Sequence, residues 1–587
     1  MLLPLSSLVL ALSATPSLSF ARPSISFDSI SKRNNDGGSS SLSSGRPRVE
    51  IKNGTIEGIS IDSFNQEAFL GIPYAQPPVG DLRLRKPKSL EQKFKGGKYE
   101  AKEYSVFCPG FGGDEIGYEL GEDCLTINVV RPAGVSENAS LPVGAWIYGG
   151  GYQMGGSGDR RYNSTWVVQR SVEMEKPIIF VSLNYRVAAL GFLNSPELAK
   201  EGNQNMGLYD QRLALHWIQE NIAAFGGDPS KVTIWGESAG AMSVSAHILG
   251  YGLNETDLFR GAILESGGPT TVRLGSAFAL CGLNTNADLF GYPQENYPTL
   301  NDTAPDYSEI LEKTGCSSKS SSAAELECLR QLPFDKFNSS VASTSWSPVI
   351  DGQLIPLAPS QSLNSSTFVK IPLLIGANTD EGTAFGSRGL NTTEDLIVAY
   401  SARYPYMLNS SVETLVSLYS EEQSAGSPYN TGDGALSTGL ADKRSCSIGG
   451  DTAMIAPRRY MAESAARFSP VYSYRFDTVP QNATIETGIT HFQEVAYVFS
   501  NPLPTQNPLS TRPGDAELAQ LMTSQWISFI NDLTPNNNGA NASIEWPNYQ
   551  DSPQNFVFRR NGSFIEPDTF RQAEIAHINS LGYQLQH

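Results

Sequence analysis

Short runs of apolar residues alternate along this chain with longer stretches in which apolar positions recur at helical spacing. The runs Val143-Gly144-Ala145-Trp146-Ile147-Tyr148, Val232-Thr233-Ile234-Trp235 and Ile371-Pro372-Leu373-Leu374-Ile375 are short and bounded by polar or glycine-rich turns, so they predict strands. Val471-Tyr472-Ser473-Tyr474-Arg475-Phe476 alternates and predicts another. Leu215, Ile218, Ile222 and Phe225 mark the buried face of a helix from about Met206 to Phe225, and Ala241 to Leu249 predicts a second, more apolar one. The alternation runs from about Arg48 to the C-terminal region without an obvious linker. This pattern predicts one large α/β domain over 48–587, with a mostly parallel central sheet, helices on both faces and several insertions.

The junction between the second of those strands and the apolar helix carries the first chemistry. Gly236-Glu237-Ser238-Ala239-Gly240 reads as a serine nucleophile on a sharp strand-to-helix elbow, with glycines where a Cβ would collide with the neighbouring strand or helix. A serine hydroxyl needs a base, and the chain offers five histidines. His247 lies nine positions further along the same helix, roughly 13 Å down its axis at about 1.5 Å per residue. His216 reads as a packed or surface residue of its own helix. His577 falls in a C-terminal helical stretch and His587 is the last residue, so neither has a rigid strand end to hold it. His491, in the loop that follows the alternating strand, is left.

For a serine on such an elbow the acid precedes the histidine in the chain. The strand ending in Gly376-Ala377-Asn378 opens into Thr379-Asp380-Glu381-Gly382-Thr383, and either Asp380 or Glu381 could orient an imidazole. A tetrahedral intermediate also needs backbone donors, each worth about 3 kcal/mol. Gly149-Gly150-Gly151, directly after another strand, lets the backbone approach a substrate carbonyl. The expected oxyanion hole is the N–H groups of Gly150, Gly151 and Ala239.

These motifs are accompanied by Phe69-Leu70-Gly71-Ile72-Pro73-Tyr74-Ala75, Glu122-Asp123-Cys124-Leu125, Asn184-Tyr185-Arg186, Asn205-Met206-Gly207-Leu208 and Phe225-Gly226-Gly227-Asp228-Pro229. Together they resemble the type-B carboxylesterase/lipase family, the cholinesterase-like α/β-hydrolases, and most resemble its secreted fungal members. The resemblance implies the α/β-hydrolase fold and selects Glu381 as the acid, giving Ser238, Glu381 and His491 as the triad. Tyr148 stands where many members have histidine, and aromatic residues also occur there among the fungal lipases.

Composition narrows the partners. A formal net charge of -18 excludes the basic footprint that nucleic acid requires and argues against attraction to anionic lipid surfaces. Met1 to Ala21 has an apolar core and ends Ser19-Phe20-Ala21, which predicts a signal peptide without a basic start. Residues 22–47, rich in Ser, Gly and Asn, predict a disordered leader or prosegment. No later segment offers about 20 consecutive apolar residues, so no stable membrane insertion is expected. The expected location is extracellular. Six cysteines without metal-type clustering fit an oxidising compartment, and plentiful sequons, among them Asn53, Asn163, Asn391 and Asn561, would meet the glycosylation machinery there. Cys108 with Cys124 and Cys316 with Cys328 resemble the family's bridges, leaving Cys281 with Cys446 as the third pair. No metal or cofactor is expected.

The resemblance implies hydrolysis of a small-molecule or lipid ester through an acyl-enzyme. In the family's lipases the first disulfide loop carries an amphipathic lid. Here that loop is short and contains Gly110, Gly112, Gly113, Gly117 and Gly121, each weakening helix by about 1 kcal/mol, which favours a carboxylesterase of neutral short-to-medium acyl esters. The alternatives are a triacylglycerol lipase or sterol esterase with a lid elsewhere, for instance within 386–450, and a catalytically inactive binding or adhesion protein of the same fold. Retention of the triad residues and the triglycine argues against the last. Oligomeric state is not encoded in any motif.

Overall fold

Short apolar runs such as Val143 to Ile147 and Leu373 to Ile375 form strands in the computed structural model, and the strands assemble into one large sheet and one small one. The structure describes residues 46–250, 257–271, 300–317, 319–342, 346–481, 483–503, 507–539 and 544–585. The strands are β1 (Arg48–Ile51), β2 (Gly54–Glu57), β3 (Ile59–Ile61), β4 (Gln66–Pro73), β5 (Lys98–Glu100), β6 (Thr126–Pro132), β7 (Leu141–Ile147), β8 (Ile179–Leu183), β9 (Gly227–Glu237), β10 (Gly261–Glu265), β11 (Leu373–Asn378), β12 (Val471–Phe476), β13 (Gln554–Phe558) and β14 (Phe564–Pro567). Eleven of them form a sheet in the order β14-β13-β12-β11-β10-β9-β7-β8-β6-β4-β3, and β1, β2 and β5 form a second, small sheet. The centre, from β13 through β12, β11, β10, β9 and β7 to β8, is parallel; the two flanks are antiparallel.

Parallel neighbours require crossovers, and these are helical. Ala239–Leu249 packs on β9 and β10, while Asp515–Asp532 packs on β7 and β9. Val232 to Trp235, Ala262 to Leu264 and Leu373 to Ile375 are all buried, which is why they read as unbroken apolar runs and not as alternating ones. The helix expected over Met206 to Phe225 is α-helical over Met206–Asn221 and tightens to a 3-10 turn at Ile222–Phe225, ended by Gly226 in the left-handed region.

Aromatic rings fill the space under the sheet centre. Trp146 and Trp235, paired in register on β7 and β9, meet edge to face at 5.0 Å, and Phe499 stacks on Trp235 at 5.0 Å. The first two expected disulfides, Cys108–Cys124 and Cys316–Cys328, are formed. The third pairing involves Cys281, which lies outside the described residues; Cys446 is buried in the helix Asp442–Gly450. Among the sequons, Asn53 is buried and donates both amide hydrogens, to the carbonyls of Leu90 at 2.7 Å and Gln92 at 2.8 Å, so a glycan there is incompatible with this packing. Asn561 is exposed.

Candidate active site

Register in the parallel centre sets which residues leave the sheet together. Ile147 pairs with Gly236, Glu237 with Glu265, and Glu265 with Gly376. The segments that follow, with Gly149 to Gly151, Ser238, Ser266 and Glu381, therefore emerge along one edge at the carboxyl ends of the strands, where open α/β sheets place their ligand sites.

Ser238 has φ +55° and ψ −124°, a conformation that costs a non-glycine residue about 1–3 kcal/mol. The surroundings hold it there. Its N–H donates to the Glu265 carbonyl at 2.9 Å, and its own carbonyl accepts from Met242 N–H at 2.9 Å as the helix begins. A Cβ on Gly240 would lie 2.1 Å from the Ile147 carbonyl oxygen, so the helix start can cross β7 only as glycine. The residue after the serine, Ala239, opens an eleven-residue helix, whose first N–H groups have no intrahelical acceptor. Gly150 and Gly151 have φ +86° and +64°. A Cβ on Gly149 would come within 3.0 Å of Ser238 Cβ, which puts the triglycine against the elbow.

His491 is buried, and its Nδ1 lies 2.7 Å from Glu381 Oε2. The ring of Phe385 packs edge-on against the imidazole at 4.8 Å. Its Nε2 faces back toward the elbow, 3.2 Å from Oε1 of Glu237, the residue before Ser238. Chemistry alone left Asp380 and Glu381 equal, and the packing separates them. Asp380 points away and accepts the N–H groups of Tyr429 at 2.8 Å and Ile489 at 2.9 Å and the Ser427 hydroxyl at 3.1 Å. The other histidines stay apart: His247 is buried against Gln211 at 3.0 Å, His577 contacts the Ser411 carbonyl, and His587 lies outside the described residues.

Around Glu381 the structure assembles groups that no sequence motif announced. Ser266 Oγ sits 2.5 Å from Glu381 Oε1 and 3.0 Å from Glu494 Oε1, and Asn378 N–H donates to Glu381 Oε1 at 2.8 Å. Asn378 Nδ2 donates to Glu494 Oε2 at 2.6 Å. A hydroxyl has one proton, so Ser266 can satisfy both carboxyl groups only if one of them donates to it. Burial and the nearby Glu381 push Glu494 up to about 7, which favours it as the donor. Burial likewise pushes Glu237 and Glu265 well above the carboxylate range, and Glu265 Oε1 accepts the indole N–H groups of Trp235 at 2.5 Å and Trp526 at 2.6 Å. Glu381 thus faces His491 Nδ1, the Ser266 hydroxyl and the Asn378 N–H together. Ser266 follows the apolar run of β10, the same strand-end position as Ser238, and that was the available signal.

The loop closed by Cys108–Cys124 holds no α-helix, only a 3-10 turn at Gly113–Glu115. It is pinned to the site's edge by Phe111 N–H to the Gln153 carbonyl at 2.7 Å and by Asp114 to Arg161 at 2.8 Å. Glu115 is buried in it, and desolvation together with Asp114 pushes its carboxyl up to about 8. A raised carboxyl stabilises the folded chain fully below its unfolded value near 4.5, and that stability is lost as pH rises through about 8. Glu115→Gln, neutral at every pH, is therefore expected to match the wild type at pH 5 and to exceed it at pH 8.5 by on the order of 2 kcal/mol. Thermal melts at the two pH values check this, and equal differences at both would refute it.

The sequence model of the carboxylesterase family matches residues 45–564. The chain belongs to the carboxylesterase family. It is a carboxylic ester hydrolase, and its α/β-hydrolase fold is shared with the crystal structure of Aspergillus niger EstA, at 28% identity and a TM-score of 0.78 over 92% of this chain and 99% of that one. Curated relatives of this carboxylesterase-family chain include the secreted triacylglycerol lipase LIP1 of Gibberella zeae, 34% identical over 89% of this chain and 88% of the relative. Lipase 2 of Geotrichum candidum is 33% identical over 90% of this chain and 94% of the relative. Among the described residues no helix is long and apolar enough to cross a membrane, and no group of His, Cys, Asp or Glu could hold a metal ion.

Proposed function

We propose that this carboxylesterase-family enzyme cleaves neutral esters of short-to-medium acyl chains with a Ser238-Glu381-His491 triad. His491 takes the Ser238 proton as the hydroxyl attacks the carbonyl carbon, and returns it to the departing alcohol. The N–H groups of Gly150, Gly151 and Ala239 receive the oxyanion, and water repeats the cycle on the acyl-enzyme. Glu381 holds the imidazole in the tautomer with its proton on Nδ1 and stabilises the imidazolium. The observation that carries this reading is the 2.7 Å contact between His491 Nδ1 and Glu381 Oε2, with Nε2 of the same ring 3.2 Å from Glu237, the residue before Ser238.

The acyl preference rests on the Cys108–Cys124 loop, which has no helix to present to a lipid surface. A second reading, a triacylglycerol lipase, draws on the name of the Gibberella zeae relative, a secreted triacylglycerol lipase. The reading also includes secretion, as two relatives are named secreted lipases, with Met1 to Ala21 removed, 22–47 as a leader and a single domain over 48–587. Hydrolysis of p-nitrophenyl esters from acetate to palmitate, below and above their solubility, tests the preference. Smooth saturation favouring acetate to octanoate is the expected result; a jump in rate when palmitate forms droplets would favour the lipase.

A further inference from the structure

The imidazole of His491 is fixed at Nδ1 by Glu381, and the backbone that carries it is fixed elsewhere. Phe492, the next residue, has φ +74°, a left-handed conformation that a bulky side chain holds only under constraint. Three contacts supply the constraint. Asn507 Nδ2 donates to the Phe492 carbonyl at 3.0 Å, and the Tyr162 ring lies edge-on to the Phe492 ring at 6.1 Å. The third is the guanidinium of Arg161, 4.6 Å from the centre of the Phe492 ring.

Arg161 is itself immobilised. Its Nη2 is 2.5 Å from Asp159 Oδ2 and 2.8 Å from Asp114 Oδ1, and its Nε is 2.9 Å from Asp159 Oδ2. The side chain is 12% exposed, so these charge pairs are largely shielded from water and from screening salt. Held in this way, the guanidinium is a flat plate against an aromatic face, an arrangement that a lysine ammonium cannot reproduce. Asp114 belongs to the Cys108–Cys124 loop, whereas Phe492 belongs to the histidine loop.

We propose that Arg161 and Phe492 are positioning residues that clamp His491 and couple its placement to the Cys108–Cys124 loop. When the loop is seated, Asp114 and Asp159 fix Arg161, Arg161 fixes the Phe492 ring, and the ring keeps the left-handed backbone that aims the imidazole at the elbow. When the loop lifts, the plate loses one of its two carboxylates and the histidine loses its register. Efficient chemistry is thereby tied to the closed loop. The proposal rests on the reading of His491 as the catalytic base.

The test measures kcat, KM and thermal melting on p-nitrophenyl butyrate for the wild type, Phe492→Leu, Phe492→Tyr, Arg161→Lys and Asp114→Asn, with Ser238→Ala as control. A misplaced catalytic group costs turnover more than binding, so Phe492→Leu is expected to lower kcat about 10- to 100-fold with KM changed less than about threefold. Phe492→Tyr, which keeps the ring, should recover most of that loss, and Arg161→Lys should behave like Phe492→Leu. Asp114→Asn touches neither the ring nor the histidine loop, and should lower kcat about three- to tenfold without a matching change in KM. Wild-type kcat in a folded Phe492→Leu, or equal kcat losses for leucine and tyrosine, overturns the clamp. If Phe492→Leu does not fold, wild-type kcat in Asp114→Asn overturns the coupling. Turnover that survives in Ser238→Ala overturns the triad reading, and the clamp with it, a result distinct from either of the others.

Discussion

Ser238→Ala is expected to lower kcat on p-nitrophenyl esters by about 10⁵- to 10⁶-fold, because on the proposed triad removal of the nucleophile leaves only the oxyanion donors and substrate binding to act on the ester. The same variant should melt at the wild-type temperature. Alanine keeps the Cβ, so the backbone at φ +55° remains as strained as before, and the side chain it replaces is buried at 4% exposure. Ser238→Gly separates the two effects. Glycine adopts a positive φ freely, so this variant should be equally inactive and more stable by about 1–2 kcal/mol. Steady-state kinetics with thermal melts on both variants would check the pair. Substantial turnover in Ser238→Ala would remove the serine from the mechanism, and an unchanged melt in Ser238→Gly would mean that the elbow stores no strain. The expected gain in stability is the sign of a site that holds its nucleophile in place at the expense of the fold.

The elements that carry strong local signals were legible in the sequence. β9, β11 and β12 lie where apolar or alternating runs end in glycine or polar turns, and the elbow and triglycine follow their strands as expected. His491 is singled out by elimination among five histidines, an argument open only to a chain with so few. The choice between Asp380 and Glu381 was not legible from chemistry, since adjacent residues at a strand end point to different neighbours and both are carboxylates. Their contacts differ: Asp380 turns toward the N–H groups of Tyr429 and Ile489, and Glu381 toward the histidine. The Ser266–Glu494–Asn378 cluster was invisible for another reason. Its members come from β10, β11 and the segment after His491, and they meet only through the register of the parallel centre. Phe492 carries no sequence sign of a positive φ, because phenylalanine does not itself favour that conformation.

That same cluster makes a sharp prediction for Glu381→Gln. Glutamine is close to isosteric with glutamate, but one of its terminal atoms is an acceptor and the other a double donor. Oε1 of Glu381 receives the Asn378 N–H at 2.8 Å and faces the Ser266 hydroxyl at 2.5 Å. The backbone N–H of Asn378 cannot turn into an acceptor, so the amide oxygen is held at that position and the NH₂ group is directed to the position of Oε2. There it faces His491 Nδ1, where an N–H opposite an N–H would be repulsive. The imidazole escapes by moving its proton to Nε2, which leaves no lone pair on the nitrogen that should accept the serine proton. Glu381→Gln is therefore expected to lower kcat about 10³- to 10⁴-fold with little change in KM or melting temperature. Ser266→Ala in the Glu381→Gln background should soften this defect, since one of the two contacts that pin the amide oxygen is gone and the amide can turn more readily. Kinetics on the single and double variants measure the coupling. A double variant no faster than Glu381→Gln would mean that the Asn378 N–H alone fixes the amide, and a fully active Glu381→Gln would mean that His491 does not depend on Glu381 for its tautomer.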